Sequence, residues 1–253
     1  LDLDVSERER VKVERAAKRI RGYLDGTVVV DTIRPLLVWE LPYYPAWYVP
    51  VEDVTPGLLK ENDRVDRSPS RGPAHRFDLI VGDHEVPDAA WHHPDSPVEA
   101  LQDHVRFEWD ALDAWFEEDE QVHVHPRDPY KRVDVLRSSR HVVVRIDGQV
   151  VADSTHPTLL FETSLPTRYY LPKTDIRLDL LTPTETTSQC PYKGSAEYYT
   201  ATIDGTEHTD IAWWYRHPAH ESSGIAGLVA FYDEKVDVEV DEVAQERPRT
   251  HFS

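Results

Sequence analysis

Short runs in which apolar and polar residues alternate dominate the chain. Val236, Val238 and Val240 alternate with Asp237, Glu239 and Asp241, the pattern of a half-buried strand with an acidic outer face. Val142–Ile146, Asp147-Gly148 and Val150–Ala152 read as strand, tight turn and strand, because Asp-Gly between apolar runs is a strong hairpin signal. Arg21–Leu24, Asp25-Gly26 and Val28–Val30 repeat that arrangement. Leu159–Glu162 and Arg168–Leu171 are further strand candidates. The 19 prolines and 10 glycines separate many short elements.

The likeness of the two hairpins extends along the chain. Shifted by 122 residues, the sequence matches itself at 23 of 81 positions between residues 11 and 91, where about five identities would arise by chance. Matched pairs include Pro35/Pro157, Glu40/Glu162, Tyr48/Tyr170, Asp53/Asp175, Gly72/Gly194, Asp88/Asp210 and Trp91/Trp213. Two extra residues then enter the second repeat, and His93-Pro94 meets His217-Pro218, with Phe107 on Phe231. The repeats are taken as 8–122 and 131–245, with Val122–Tyr130 between them.

The repeat also settles a conflict of local signals. Glu7–Arg21 looks helical by propensity. Its partner Arg132–Val143 is rich in β-branched residues and looks extended. Two copies of one fold agree, so the extended reading is adopted for both. Pro97–Trp115 shares its end with the strand-like Gly227–Glu239, which leaves at most its first turns helical. The predicted fold class is therefore all-β (β-rich), in two similar lobes of short antiparallel strands.

A resemblance follows from particular residues of the second repeat. These are Asp147-Gly148, Asp153, Glu162, Tyr169-Tyr170-Leu171-Pro172 and Asp175, then Cys190-Pro191-Tyr192-Lys193-Gly194 through Tyr199, and Ala212-Trp213. Together they resemble the domain-of-unknown-function family 427, sometimes labelled a nucleotidyltransferase domain. Through the repeat the resemblance covers nearly the whole chain. It implies a β-tent-like fold, two antiparallel sheets meeting at an angle, and a mostly bacterial distribution. It implies no established activity. Structural zinc on paired cysteines, seen in some β-tent relatives, does not carry over to a chain with one cysteine. Nor is there a glycine loop to cradle phosphates or a spaced Asp pair to hold a metal and a triphosphate.

Composition narrows the partners. Against 28 basic residues stand 47 acidic ones, a net charge of −19, which disfavours nucleic-acid backbones. No apolar run reaches the roughly 18 residues that span a bilayer. Cys190 is the only cysteine, and the opening residues lack a signal-peptide pattern; both fit a cytoplasmic, reducing setting. No cofactor is expected, and oligomeric state is not legible.

The candidate chemistry centres on Glu162 and its match Glu40. Each follows an apolar run, so each carboxylate starts near the core, where it needs a partner or a shifted pKa. It either orients a ligand or acts as acid/base, or it caps a turn or pairs with a structural base. Lys193, matched by Arg71, is the natural partner or an anion-binding group. Arginine cannot replace lysine in proton transfer, so a lysine mechanism would belong to the second repeat alone. Cys190 is a candidate nucleophile beside Lys193 or an inert buried thiol; the first repeat has Ser68 there.

Tyr170, Tyr192, Tyr198, Trp213 and Tyr215 are either walls of a pocket or, as aromatics more often are, part of the core. The first repeat keeps Tyr48 and Trp91 but has Ser70 in place of Tyr192. His123 and His125 lie outside the repeat and make a weak metal candidate. The leading expectation is a small polar or anionic ligand bound in the second repeat between Glu162, Lys193 and an aromatic wall of Tyr170, Tyr192 and Trp213, with Glu40, Tyr48, Arg71 and Trp91 as the divergent counterpart. The alternatives are an enzyme using Lys193 or Cys190 with Glu162, and a protein-interaction module.

Overall fold

The computed structural model describes residues 11–250; the start of the first predicted repeat, residues 8–10, and of the helical candidate at Glu7 lies outside them. The chain divides into two compact units, Leu1–Asp128 and Pro129–Ser253. The segment Val122–Tyr130, predicted as linker, is partly packed. Val122 is buried, and buried Asp128 accepts a hydrogen bond from Trp39 Nε1 at 3.1 Å.

The described residues of the first unit form β1 (Lys12–Arg15), β2 (Ile20–Leu24), β3 (Thr27–Thr32), β4 (Leu36–Trp39), β5 (Ala46–Pro50), β6 (Leu59–Ser68), β7 (Gly72–Val81), β8 (His84–His92), β9 (His104–Phe107), β10 (Ala114–Glu117) and β11 (Glu120–Val122). The second unit follows with β12 (Val133–Arg137), β13 (Val142–Ile146), β14 (Gln149–Ser154), β15 (Thr158–Glu162), β16 (Arg168–Tyr170), β17 (Leu181–Cys190), β18 (Gly194–Ile203), β19 (Thr206–Tyr215), β20 (Val229–Phe231), β21 (Asp237–Val240) and β22 (Val243–Ala244). All their pairings are antiparallel, so the all-β reading holds. Residues 12–15 and 133–137 are both extended. Within Pro97–Trp115 only the short 3-10 turns Glu99–Leu101 and Trp109–Ala111 are helical.

The first unit has a seven-stranded sheet in the order β1-β4-β5-β9-β8-β7-β6 and a four-stranded sheet in the order β11-β10-β2-β3. The second unit repeats both, except that the long sheet is divided into β12-β15-β16 and β17-β18-β19-β20. Its two parts are joined at Leu171 and Val229, whose backbones exchange hydrogen bonds of 2.8 and 3.0 Å.

The correspondence reaches the irregularities. The ladders shift register at Phe77/Leu79 and at Tyr199/Ala201, and opposite them Asp88 and Asp210 take φ of 52° and 50°. A bulge inserts an extra residue and bends the strand, which accounts for left-handed backbone inside a long strand. Side chains secure each bulge: the Asp88 N–H donates to Asp78 Oδ1 and the Asp210 N–H to Thr200 Oγ1.

Alternation along the strands separates two apolar layers. In β4, Leu37 faces the main core with Trp47, Val49 and Trp115, while Leu36 and Val38 face away with Tyr48 and Leu101. In the second unit Tyr169 packs on the main core, and Tyr170 on a second cluster with Leu160, Trp213, Tyr215, Ile225 and Ala230. Of the candidate residues, Tyr48, Tyr170, Tyr198, Trp213 and Tyr215 belong to this second layer.

Candidate functional site

Register sets these side chains in one row across the long sheet. In the first unit Leu36 opposes Tyr48, Tyr48 opposes Arg106, Arg106 opposes Trp91, and Trp91 opposes Arg76. Residues directly opposed on antiparallel strands share a face and touch. The same row in the second unit contains Thr158, Tyr170, Ala230, Trp213 and Tyr198.

At one end of the row stands the predicted carboxylate. Glu162, the last residue of β15, pairs with Lys193 at the β17–β18 turn; their side chains are 8% and 15% exposed. Glu40 pairs with Arg71 in the same way. In both units the cation is followed by a glycine with positive φ, +82° for Gly72 and +94° for Gly194. A Cβ there would lie 3.3 Å from the carbonyl oxygen of Asp95 or His217. The turn therefore favours glycine on two grounds, backbone conformation and space.

The surroundings of the pair differ. In the first unit Tyr48 donates to Glu40 Oε1 at 2.6 Å, and Arg106 Nε lies 3.2 Å from Glu40 Oε2, out of line for a hydrogen bond. Arg106 and Arg76 both lie against the Trp91 ring, 3.9 and 4.5 Å from its centre. Buried His93 stacks on Tyr48 and holds the Pro73 carbonyl through Nδ1. Burial, with the Arg71 charge, pushes its pKa down.

In the second unit aromatic hydroxyls replace these charges. Arg76 corresponds to Tyr198, Glu108 to Tyr232, Asp66 to Ser188 and Arg106 to Ala230. Arg76 bonds Asp66 at 2.6 Å, and Ser188 and Tyr198 make the matching 2.7 Å contact. With a small alanine in the row, Tyr232 closes on Trp213, ring centres 4.6 Å apart. Trp213 Nε1 donates to Tyr170 at 3.1 Å. Tyr215 is buried near Tyr170, Cys190, Tyr198 and Glu162; burial first, and then these neighbours, raise its pKa. No hydrogen bond joins its hydroxyl to any of them.

The predicted site residues are thus brought together in part. Glu162, Lys193, Cys190, Tyr170, Trp213 and Tyr215 share one region. Tyr170, Tyr192 and Trp213 are at most 7% exposed, so these aromatics are buried rather than lining an open pocket. Cys190 is half-buried at the end of β17. His125 stacks on Tyr44 and is held by the Pro126 carbonyl, and no group of metal ligands occurs among the described residues.

Sequence reasoning missed two groups. Arg106 carried no signal because its counterpart is Ala230. Arg168, whose counterpart is Ala46, makes a two-pronged pair with buried Glu234 at 2.8 and 2.6 Å and lies 3.4 Å from Asp233. Burial raises Asp233 to about 7, partly offset by Arg168 and reinforced by Glu234. Burial also opposes ionisation of Glu234, but its bonds from Arg168 and Thr250 outweigh it and hold this acid at about 2.

Two all-β units with the same strand order and the same carboxylate–cation pair define a tandem-repeat protein. The model of the domain of unknown function DUF427 matches the chain twice, over residues 12–118 and 134–242. The chain belongs to that family and carries its domain in duplicate. No curated protein matched the chain.

Proposed function

We propose that the protein binds a small polar or anionic metabolite through its second domain, at Glu162, Lys193 and the hydroxyl-rich cluster beside them. The observation that carries this reading is the carboxylate–cation pair, held at equivalent backbone positions in both domains while its surroundings diverge. A pair serving stability alone is readily replaced by apolar residues. A ligand with an anionic or hydrogen-bonding group competes for Lys193, and one with a donor engages Glu162. The Tyr215 hydroxyl, unbonded to Tyr170, Cys190, Tyr198 or Glu162, is a further donor for a ligand. Buried Tyr170, Tyr192 and Trp213 back these groups from below. The first domain carries Arg71, Arg106 and His93 around Glu40 and has a different preference.

The test is a thermal-shift screen of a metabolite library on the wild type, Glu162→Gln, Lys193→Ala and Lys193→Arg. A ligand of the native state raises Tm by mass action, about 2.7 kcal/mol of added stability at one hundred times Kd. The expected result is one chemical class that shifts the wild type but neither Glu162→Gln nor Lys193→Ala, with Lys193→Arg intermediate. Loss of unliganded stability in these variants, with no class shifting the wild type, would make the pair structural and defeat the proposal.

A further inference from the structure

A cleft unrelated to that pair lies in the first domain, and we infer that it binds a small aliphatic monocarboxylate. The cleft, of about 830 Å³, lies among β4, the end of β5 and the segment leading into β9. Its volume falls within the usual range for small-molecule sites, roughly 300–1,000 Å³. Ile33, Leu36, Pro50 and Val51 form its apolar side. Ile33 is 70% exposed and Val51 43%, so two large aliphatic side chains that could cover a ligand are open to solvent.

Comparison with the second domain shows that this opening is particular to the first. Val51 corresponds to Lys173, His92 to Trp214, Ile33 to Thr155 and Leu36 to Thr158. Lys173 Nζ lies 3.3 Å from the centre of the Trp214 ring. A long side chain laid on a large ring thus takes up the position that Val51 and His92 leave free, and the apolar lining has become polar. The substitutions act in concert: each either widens the first-domain cleft or makes it more apolar.

The charges select the ligand's head. Arg34 is committed to Glu52 and Asp53, both at 2.7 Å. Arg15, exposed at the cleft, has no ion pair among the described residues. Glu52 and Asp103 also line the cleft and repel a dianion. One uncommitted guanidinium beside two carboxylates suits a single carboxylate rather than a phosphate, and guanidinium–carboxylate geometry favours it. His104 supplies a neutral contact: burial lowers its pKa, and its Nδ1 is buried without a hydrogen-bond partner. With no phenyl or indole ring lining the cleft, the body of the ligand is aliphatic.

The experiment is a titration of the whole chain with sodium octanoate, followed by the methyl signals of Ile33 and Val51, with octylamine and 1-octanol as controls. The expected result is saturable movement of these signals by octanoate and much weaker effects of the controls. Arg15→Ala, a surface change that does not threaten folding, should weaken binding about tenfold. Val51→Lys, which installs the residue of the second domain, should abolish it with the rest of the spectrum unchanged, while Glu162→Gln should leave it intact. Unmoved Ile33 and Val51 signals, equal binding of octylamine or 1-octanol, or undiminished binding by Arg15→Ala or Val51→Lys would overturn the inference. None of these outcomes bears on the second-domain site.

Discussion

Asp233 and Glu234 are neighbours in sequence, share Arg168, and titrate in opposite senses. Asp233 is almost fully removed from water and has only a 3.4 Å contact with the guanidinium, so burial prevails and its folded pKa rises to about 7. The folded state then binds more protons than the unfolded state between about pH 4 and 7. Stability from this group is present below its unfolded pKa and is lost as pH rises through 7. Glu234 has the reverse sign: its stabilisation is present above its unfolded pKa and is lost as pH falls towards 2. Asp233→Asn should therefore flatten the fall in stability between pH 5 and 8. Relative to wild type it should gain about 2 kcal/mol over that range, measured by urea denaturation at each pH. An unchanged slope would show that Asp233 ionises normally.

At the scale of elements, the turns that present the cations are more constrained than the strands they join. Gly194 combines φ of +94° with a Cβ position 3.3 Å from the His217 carbonyl and 3.4 Å from the Ala219 nitrogen. Gly194→Ala should cost about 1–2 kcal/mol, read from the urea midpoint, and move Lys193 relative to Glu162. Gly148→Ala provides the comparison. Its φ is +80°, but nothing lies within 4 Å of the added carbon, so only the conformational part of the cost remains. Equal costs for the two variants would show that the close backbone approach at Gly194 is unimportant. Glycine in both repeats marked this turn in the sequence. The bulges at Asp88 and Asp210 were marked only as matched aspartates, because a register shift depends on the partner strand and leaves no local pattern.

For the whole molecule, each unit has its own core. Among the described residues, the apolar clusters around Trp47 and Tyr48 draw only on residues before Asp128, and those around Phe231 and Tyr170 only on residues after Pro129. A unit that buries its own apolar residues can fold alone. Residues 129–253, produced separately, should give a cooperatively unfolding β-protein with dispersed amide signals. A chain that stays unfolded would mean that the second unit requires the first.

The sequence by itself determined the duplication, the all-β class and the hairpins at Asp25-Gly26 and Asp147-Gly148, and it singled out Glu162 and Lys193 without deciding that they pair. These features are written in short-range alternation, in turn residues whose backbone demands are local, and in residues that recur 122 positions apart. Tertiary structure decided the rest. It set Tyr48, Arg106, Trp91 and Arg76 in one row from four different strands, and it made the expected aromatic wall part of a core. It brought Arg168 to Glu234 across 66 residues of chain. It also opened a cleft where Val51 and His92 stand in place of Lys173 and Trp214. The reason is that register and burial arise from the simultaneous packing of distant strands, and no single stretch of sequence encodes which side chains then meet.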